Sequence, residues 1–266
     1  MARPAEQMPI GEPQTDSADE STLLRWSERP GGRLELVELP LTPELFLDPQ
    51  IGDTMVQGNW HEKTGRELMD LLEEHFRPQS DVLVTHDMKH LYGPGFPAPA
   101  PDVAVIRGIQ DRDAERPSFD VPKEGLLPCL VIEVVSRSSS RIRKVDVERK
   151  VKDYARIGIS EYLIVDTPKG RSTRYKLLGY RLDAQRRYQP IAAEAEGRIL
   201  SQTAGLWFQV SADRKQVLVF EFPSGRRLLT PAEWKALAVR EEEARKAAEA
   251  ELFHLREELE RLRGKS

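Results

Sequence analysis

The alternation of apolar and polar positions predicts a mixed α/β chain. Its most apolar run is Cys129-Leu130-Val131-Ile132-Glu133-Val134-Val135-Ser136. A run of this length, rich in β-branched residues, is the pattern of a strand covered on both faces of its sheet. Leu68, Leu71, Leu72 and Phe76 recur at 3–4 spacing and predict a helix over 60–76, stopped by Pro78. Strands are expected at 33–39, 81–86, 102–106 and 162–166, with shorter ones at 174–180, 187–192 and 217–222. Four prolines between 94 and 101 bar helix and fix the entry of the strand that Asp102 opens. Residues 108–125 read as a polar surface connection. After the Glu133 strand, a basic turn at 138–143 leads into a helix over 144–157. Its apolar stripe is Val147, Val151 and Tyr154, Gly158 is its C-terminal cap, and Lys150 borders the stripe.

The two ends read differently from this core. Residues 1–31 carry scattered Pro, Gly, Ser and acidic positions with almost no periodic apolar signal, so a disordered leader is expected. Residues 32–230 are expected to form the α/β domain. Thr230-Pro231-Ala232-Glu233 then opens a charged helix over 231–266. Leu252, Leu255, Leu259 and Leu262 follow the 3-4-3 spacing of a coiled-coil seam, while Glu241 and Arg245 interrupt it upstream. Two outcomes fit this pattern, a coiled coil joining a homodimer and a lone solvated helix.

Charge and cysteine usage narrow the setting. The net charge of −4 over 266 residues argues against a protein that coats nucleic acid nonspecifically. Positive charge is nevertheless grouped after Glu133, at Arg137, Arg141, Arg143, Lys144, Arg149, Lys150 and Lys152. A second group follows at Arg171, Arg174, Lys176, Arg181, Arg186 and Arg187. Such groups serve either phosphate contact or a solvated face. No apolar run approaches the roughly 20 residues of a membrane span, and the N-terminus lacks a secretory pattern. Cys129 is the only cysteine and cannot form an internal disulfide, which points to the reducing cytoplasm.

An ionised Glu133 in an apolar strand needs a cation or strong donors. Asp102 opens one strand, Glu133 sits within another, and Lys150 lies on the following helix. Two carboxylates and a lysine suit metal-assisted phosphodiester hydrolysis. Mg²⁺ takes one or two protein carboxylates and keeps its other positions for water and phosphate. It lowers the pKa of a bound water, and a lysine beside it orients that water and stabilises developing charge. Each residue also has a plain structural role open to it. Asp102 could form a turn, Lys150 could pair with Asp146 one turn earlier, and Tyr154 could pack, while Ser136 at the strand end is a candidate for phosphate contact that could equally cap the turn. His86 and His90 follow a strand and are expected in surface or packing roles. Gly93-Pro94-Gly95 lacks the helix and lysine of a phosphate-binding loop.

Pro101-Asp102 followed by Glu133-Val134-Val135 resembles the PD-(D/E)XK nuclease superfamily. Within it the chain is similar to a bacterial restriction endonuclease family once classed as a domain of unknown function. The likeness rests on Ala100-Pro101-Asp102-Val103-Ala104-Val105 and Val131-Ile132-Glu133-Val134-Val135-Ser136. It continues through Asp146-Val147-Glu148-Arg149-Lys150, Tyr154, Gly158, Glu161-Tyr162 and Val165-Asp166, over about residues 50–230. The superfamily usually places its lysine two residues after the glutamate, where this chain has Val135; the resemblance moves that role to Lys150. It implies a PD-(D/E)XK restriction-endonuclease-like core and a metal-dependent endonuclease acting on DNA. Asp102, Glu133 and the Val134 backbone carbonyl would hold Mg²⁺ (or Mn²⁺), and Glu62 on the first helix is a further candidate. The competing expectation is a catalytically inactive nuclease fold that binds or assembles, dimerising through its terminal helix.

Overall fold

The computed structural model describes residues 22–40, 42, 45, 53–55, 59–135, 145–166 and 175–263. Its centre is a six-stranded sheet, built on β8 (Pro128–Val135). On one side lie β6 (Val103–Arg107) and β4 (Val82–Thr85), both joined antiparallel. On the other lies β9 (Glu161–Asp166), parallel to β8, then β10 (Lys176–Leu182) and β11 (Tyr188–Pro190). The parallel step needs a crossover, which is the helical stretch 145–157.

Both faces of β8 are covered, as its unbroken apolar run requires. Leu130, Ile132 and Val134 pack with Leu68, Leu71, Leu72 and Phe76 of α1 (Asn59–Phe76). Leu206, Phe208 and Val219, from a small antiparallel sheet, complete that layer. This sheet consists of β12 (Ile199–Ser201), β13 (Leu206–Val210) and β14 (Val217–Glu221). The opposite face carries Val131 and Val135 against Tyr154, Ile157, Tyr162 and Ile164. Strand alternation therefore puts Glu133 on this second face, with Ala104 and Ile106 of β6 beside it.

Several expectations change. The leader contains a strand, β1 (Thr22–Arg29), which pairs with β2 (Arg33–Pro40) and β3 (Asp53–Met55). It gave no periodic signal because Leu23 is buried while Trp26 is 59% exposed. The stretch 108–125 is not all surface. Ile109 and Phe119 are buried, and β5 (His90–Leu91) meets β7 (Phe119–Asp120) ahead of the one-turn α2 (Val121–Glu124). The helix after Glu133 begins as a π-helical turn, Val145–Lys150, before α3 (Val151–Ile157), which Gly158 ends in a left-handed conformation. β12 and β13 were not foreseen. Residues 1–21, Ser136 with the basic turn at 138–143, Arg137, Lys144, Arg171 and Arg174, and the side chains of Asp146 and Val147 lie outside the described residues.

The terminal helix is α4 (Pro231–Arg263). Its start is a reciprocal capping box: Glu233 N–H donates to Thr230 Oγ1 at 3.2 Å, and Thr230 N–H donates to Glu233 Oε2 at 2.9 Å. Among the described residues, no helix is long and apolar enough to cross a membrane.

One buried acid away from Glu133 fastens the small sheet to the large one. Glu161, 1% exposed, accepts from Ser201 Oγ at 2.5 Å, Thr203 Oγ1 at 2.7 Å and Arg181 Nε at 2.7 Å. Replacing it with alanine leaves these donors unmet, a change that costs about 3–5 kcal/mol when a buried ion pair is broken. Urea unfolding of Glu161→Ala is expected to show a lower midpoint at unchanged slope. An unchanged midpoint would contradict this role.

Candidate functional site

The site forms where the β6–β8 ladder runs out. Val103 pairs with Ile132, so the next hydrogen-bonding pair would be Pro101 with Val134. Proline has no N–H to give the Val134 carbonyl. The Val134 N–H is instead taken by the Asp102 side chain, at 2.6 Å from Oδ2. N–H and C=O of one strand residue point to the same edge, so the Val134 carbonyl faces the end of β6 beside Asp102.

Asp102 is 4% exposed and held from three sides. Its Oδ1 lies 2.8 Å from His61 Nε2, and its backbone carbonyl lies 2.6 Å from His86 Nδ1. Burial pushes its carboxyl pKa up, but His61, Lys150 and the Val134 N–H outweigh that, and the net shift is downward. Burial likewise works against a charge on His61. The Asp102 carboxylate overcomes it and raises the imidazole to about 9. At neutral pH the pair is therefore imidazolium and carboxylate.

Glu133, 3% exposed, has a comparable arrangement on the neighbouring strand. Lys150 Nζ lies 3.0 Å from Oε2, and Tyr154 O–H donates to Oε1 at 2.8 Å. The two donors are one helical turn apart and so share a face of the crossover. Lys150 is only 4% exposed, deeper than a residue bordering the stripe, because it points at the carboxylate. Burial, followed by the Glu133 charge, pushes the Tyr154 hydroxyl well above its ordinary pKa, which keeps it a donor. The structure thus brings Asp102, Glu133, Val134 and Lys150 together. Glu133 is satisfied by a lysine and a tyrosine, so its burial alone does not call for a metal.

Glu62 stands apart from this centre. It is 42% exposed and ion-paired with Arg66 one turn along α1. Its carboxylate, His86 and Asp87 form the one His/acid group among the described residues whose potential ligand atoms lie within 4.8 Å of one another. His86 Nε2 is 3.6 Å from Asp87 Oδ2. Asp87 has φ 48° and a carboxyl raised by burial and by Asp102. His90 is buried and neutral, lowered to about 4 by burial, beside Thr85, Tyr92 and Phe119, which is the packing role expected of it.

His61 is the residue that the sequence reading missed. Counting back from Leu68 by helical steps reaches Thr64 and then His61, so the buried stripe of α1 extends to the histidine and leaves Glu62 about 100° away. Thr64 is itself 5% exposed.

A family model described as "Putative restriction endonuclease", Uma2, matches residues 23–219. The chain belongs to the Uma2 family. The match takes in β1 and ends in β14, so it covers the strands, α1 and the crossover that build the site, and it stops before α4. A solved structure from Anabaena variabilis ATCC 29413, described as a "putative nuclease belonging to DUF820", is similar over 62% of this chain and 86% of that one. Its sequence identity is 18% and its TM-score 0.42. No curated protein matches the chain. The mixed α/β fold with a C-terminal helix that was expected is the one found.

The His61–Asp102 pair has a consequence for stability. The folded pKa of about 9 lies above the ordinary 6.5, so the pair's contribution is complete below pH 6.5 and is lost as pH rises towards 9. Urea denaturation is expected to show stability falling across that window in the native protein and a flatter profile in His61→Gln. Equal slopes would contradict the pairing.

Proposed function

We propose that this Uma2 protein is a metal-dependent endonuclease that hydrolyses DNA phosphodiester bonds. In this reading Asp102, Glu133 and the Val134 carbonyl hold Mg²⁺ (or Mn²⁺), and Lys150 serves the attacking water. The observation that carries it is the 3.0 Å contact of Lys150 with Glu133, next to an Asp102 tied to the adjoining residue of the same strand. The donors fit such an ion, being hard oxygens in the number Mg²⁺ takes from protein. The carboxylate oxygens of Asp102 each meet a single named donor, Oδ1 facing His61 and Oδ2 accepting from the Val134 N–H, and Pro101 cannot supply the Val134 carbonyl with its ladder donor.

A bound divalent ion supplies Lewis-acid polarisation of the phosphoryl group and a more acidic water. The chain's own residues do the rest. Lys150, held 3.0 Å from Glu133, brings its ammonium charge to the site, where it orients a water and stabilises charge developing on a non-bridging phosphate oxygen. Tyr154 fixes the Glu133 rotamer, and His61 fixes that of Asp102. Arg149 and Arg156, each more than half exposed, lie on the crossover and supply phosphate-backbone contacts that position the duplex. The protein works in the cytoplasm as a homodimer.

One observation favours the second reading, an inactive fold kept for binding. Asp102 and Glu133 are both buried, and each already faces a cationic side chain. Covalently closed circular DNA separates the two readings, because only an endonuclease opens it. With Mg²⁺ the native protein is expected to nick or linearise the circle. Asp102→Asn and Lys150→Met are expected to lower the rate about 10²-fold or more, with circular dichroism unchanged. Native protein that leaves the circle intact, or variants as active as the native chain, would overturn the proposal.

A further inference from the structure

α4 buries none of its residues, and Leu252, Leu255, Leu259 and Leu262 are each more than half exposed. Their spacing fixes a heptad register with Leu252 and Leu259 at a, and Leu255 and Leu262 at d. In that register Glu251 and Glu258 fall at g, and Arg256 and Arg263 fall at e. None of these four makes an ion pair among the described residues. Upstream the opposite holds: Arg245 reaches Glu242 and Glu249 at 2.9 Å each, and Lys246 also meets Glu242.

The unpaired charges select an orientation. In a parallel, in-register pair of helices, a g residue faces the e residue five positions on in the partner. Glu251 then meets Arg256, Glu258 meets Arg263, and symmetry doubles both contacts. Antiparallel pairing would set g against g and e against e, placing Glu near Glu and Arg near Arg, a like-charge arrangement that opposes it. We propose that α4 pairs with the α4 of a second copy as a parallel, in-register coil over residues 248–262. The proposal rests on the homodimer of the preceding reading and gives it a surface and a direction.

Arg245 and Glu241 close the seam at its upstream end. Arg245 occupies an a position with its charge met inside its own helix, and a polar a residue specifies register at a cost in stability. The paired stretch is short, so the dimer depends on concentration. α4 also joins the domain without a spacer. Leu228 is buried in the core, Arg227 is ion-paired with Glu233, and Thr230 caps the first turn. A parallel coil therefore sets both catalytic domains at the same end, within reach of one duplex. Antiparallel pairing of the whole 33-residue helix would hold them about 50 Å apart.

The test uses the full chain. Sedimentation at high micromolar concentration is expected to give twice the chain mass, and Leu255→Asp is expected to give the monomer with unchanged circular dichroism from the domain. In a Cys129→Ser background, Leu255→Cys is expected to cross-link on oxidation, because parallel in-register d positions face one another. Glu251→Arg with Glu258→Arg should weaken self-association at least tenfold. Mixing with Arg256→Glu/Arg263→Glu should restore a heterodimer. A monomer at every concentration would overturn both the homodimer and this pairing. A dimer that survives Leu255→Asp, or one that does not cross-link through Leu255→Cys, would overturn the pairing alone. No outcome bears on the hydrolytic residues, which these substitutions do not touch.

Discussion

At the end of β6 a side chain does the work of a backbone. Pro101 cannot continue the ladder, and the Asp102 carboxylate accepts the Val134 N–H in its stead. The same aspartate then ties α1 through His61 and the connection after β4 through His86, while the Pro101 carbonyl takes the Asp87 N–H at 3.1 Å. A helix and the central strand are thus referred to the Asp102 carboxylate, and a loop to the backbone carbonyls of Pro101 and Asp102. The short step from proline to aspartate ends the β6–β8 ladder at the place where the candidate site is built.

Buried charge in this fold comes in compensated sets, and their chemistry differs. Among the described residues, the partners of Glu161 are two hydroxyls, backbone amides and one half-buried arginine. That set ties a turn to a sheet. Asp102 and Glu133 lie on adjacent strands, share one face, and each faces a cation. Two acids and two bases leave the centre close to neutral without any ion. A divalent ion would therefore compete with His61 and Lys150 for the same carboxylates, whereas removing either base exposes the cost of an uncompensated buried charge.

Much of the architecture was legible because apolar periodicity reports burial. β8 read correctly since both its faces are covered, and α1 read correctly because four residues of one stripe enter the core. β1 was silent for the converse reason, having one buried side chain at an otherwise exposed hairpin. β12 and β13 follow a long polar stretch and are only three and five residues long. Of the site, proline and acid spacing marked Asp102 and Glu133. The depth of Lys150 depends on a π-helical turn, whose register no count of 3.6 residues per turn supplies. His61 was hidden by a preference for an acid at the neighbouring position, although the stripe through Thr64 and Leu68 passes through it.

Two places could receive a cation, the strand-end centre of Asp102, Glu133 and Val134, and the outer group of Glu62, His86 and Asp87. The metal proposed for this protein belongs at the strand end, with Lys150 and His61 beside its carboxylate ligands. Anomalous diffraction from crystals soaked in Mn²⁺ measures this directly. The predicted result is a peak in coordination contact with the Asp102 and Glu133 carboxylates and the Val134 carbonyl. A peak confined to Glu62, His86 and Asp87, or none in the protein at all, would contradict it.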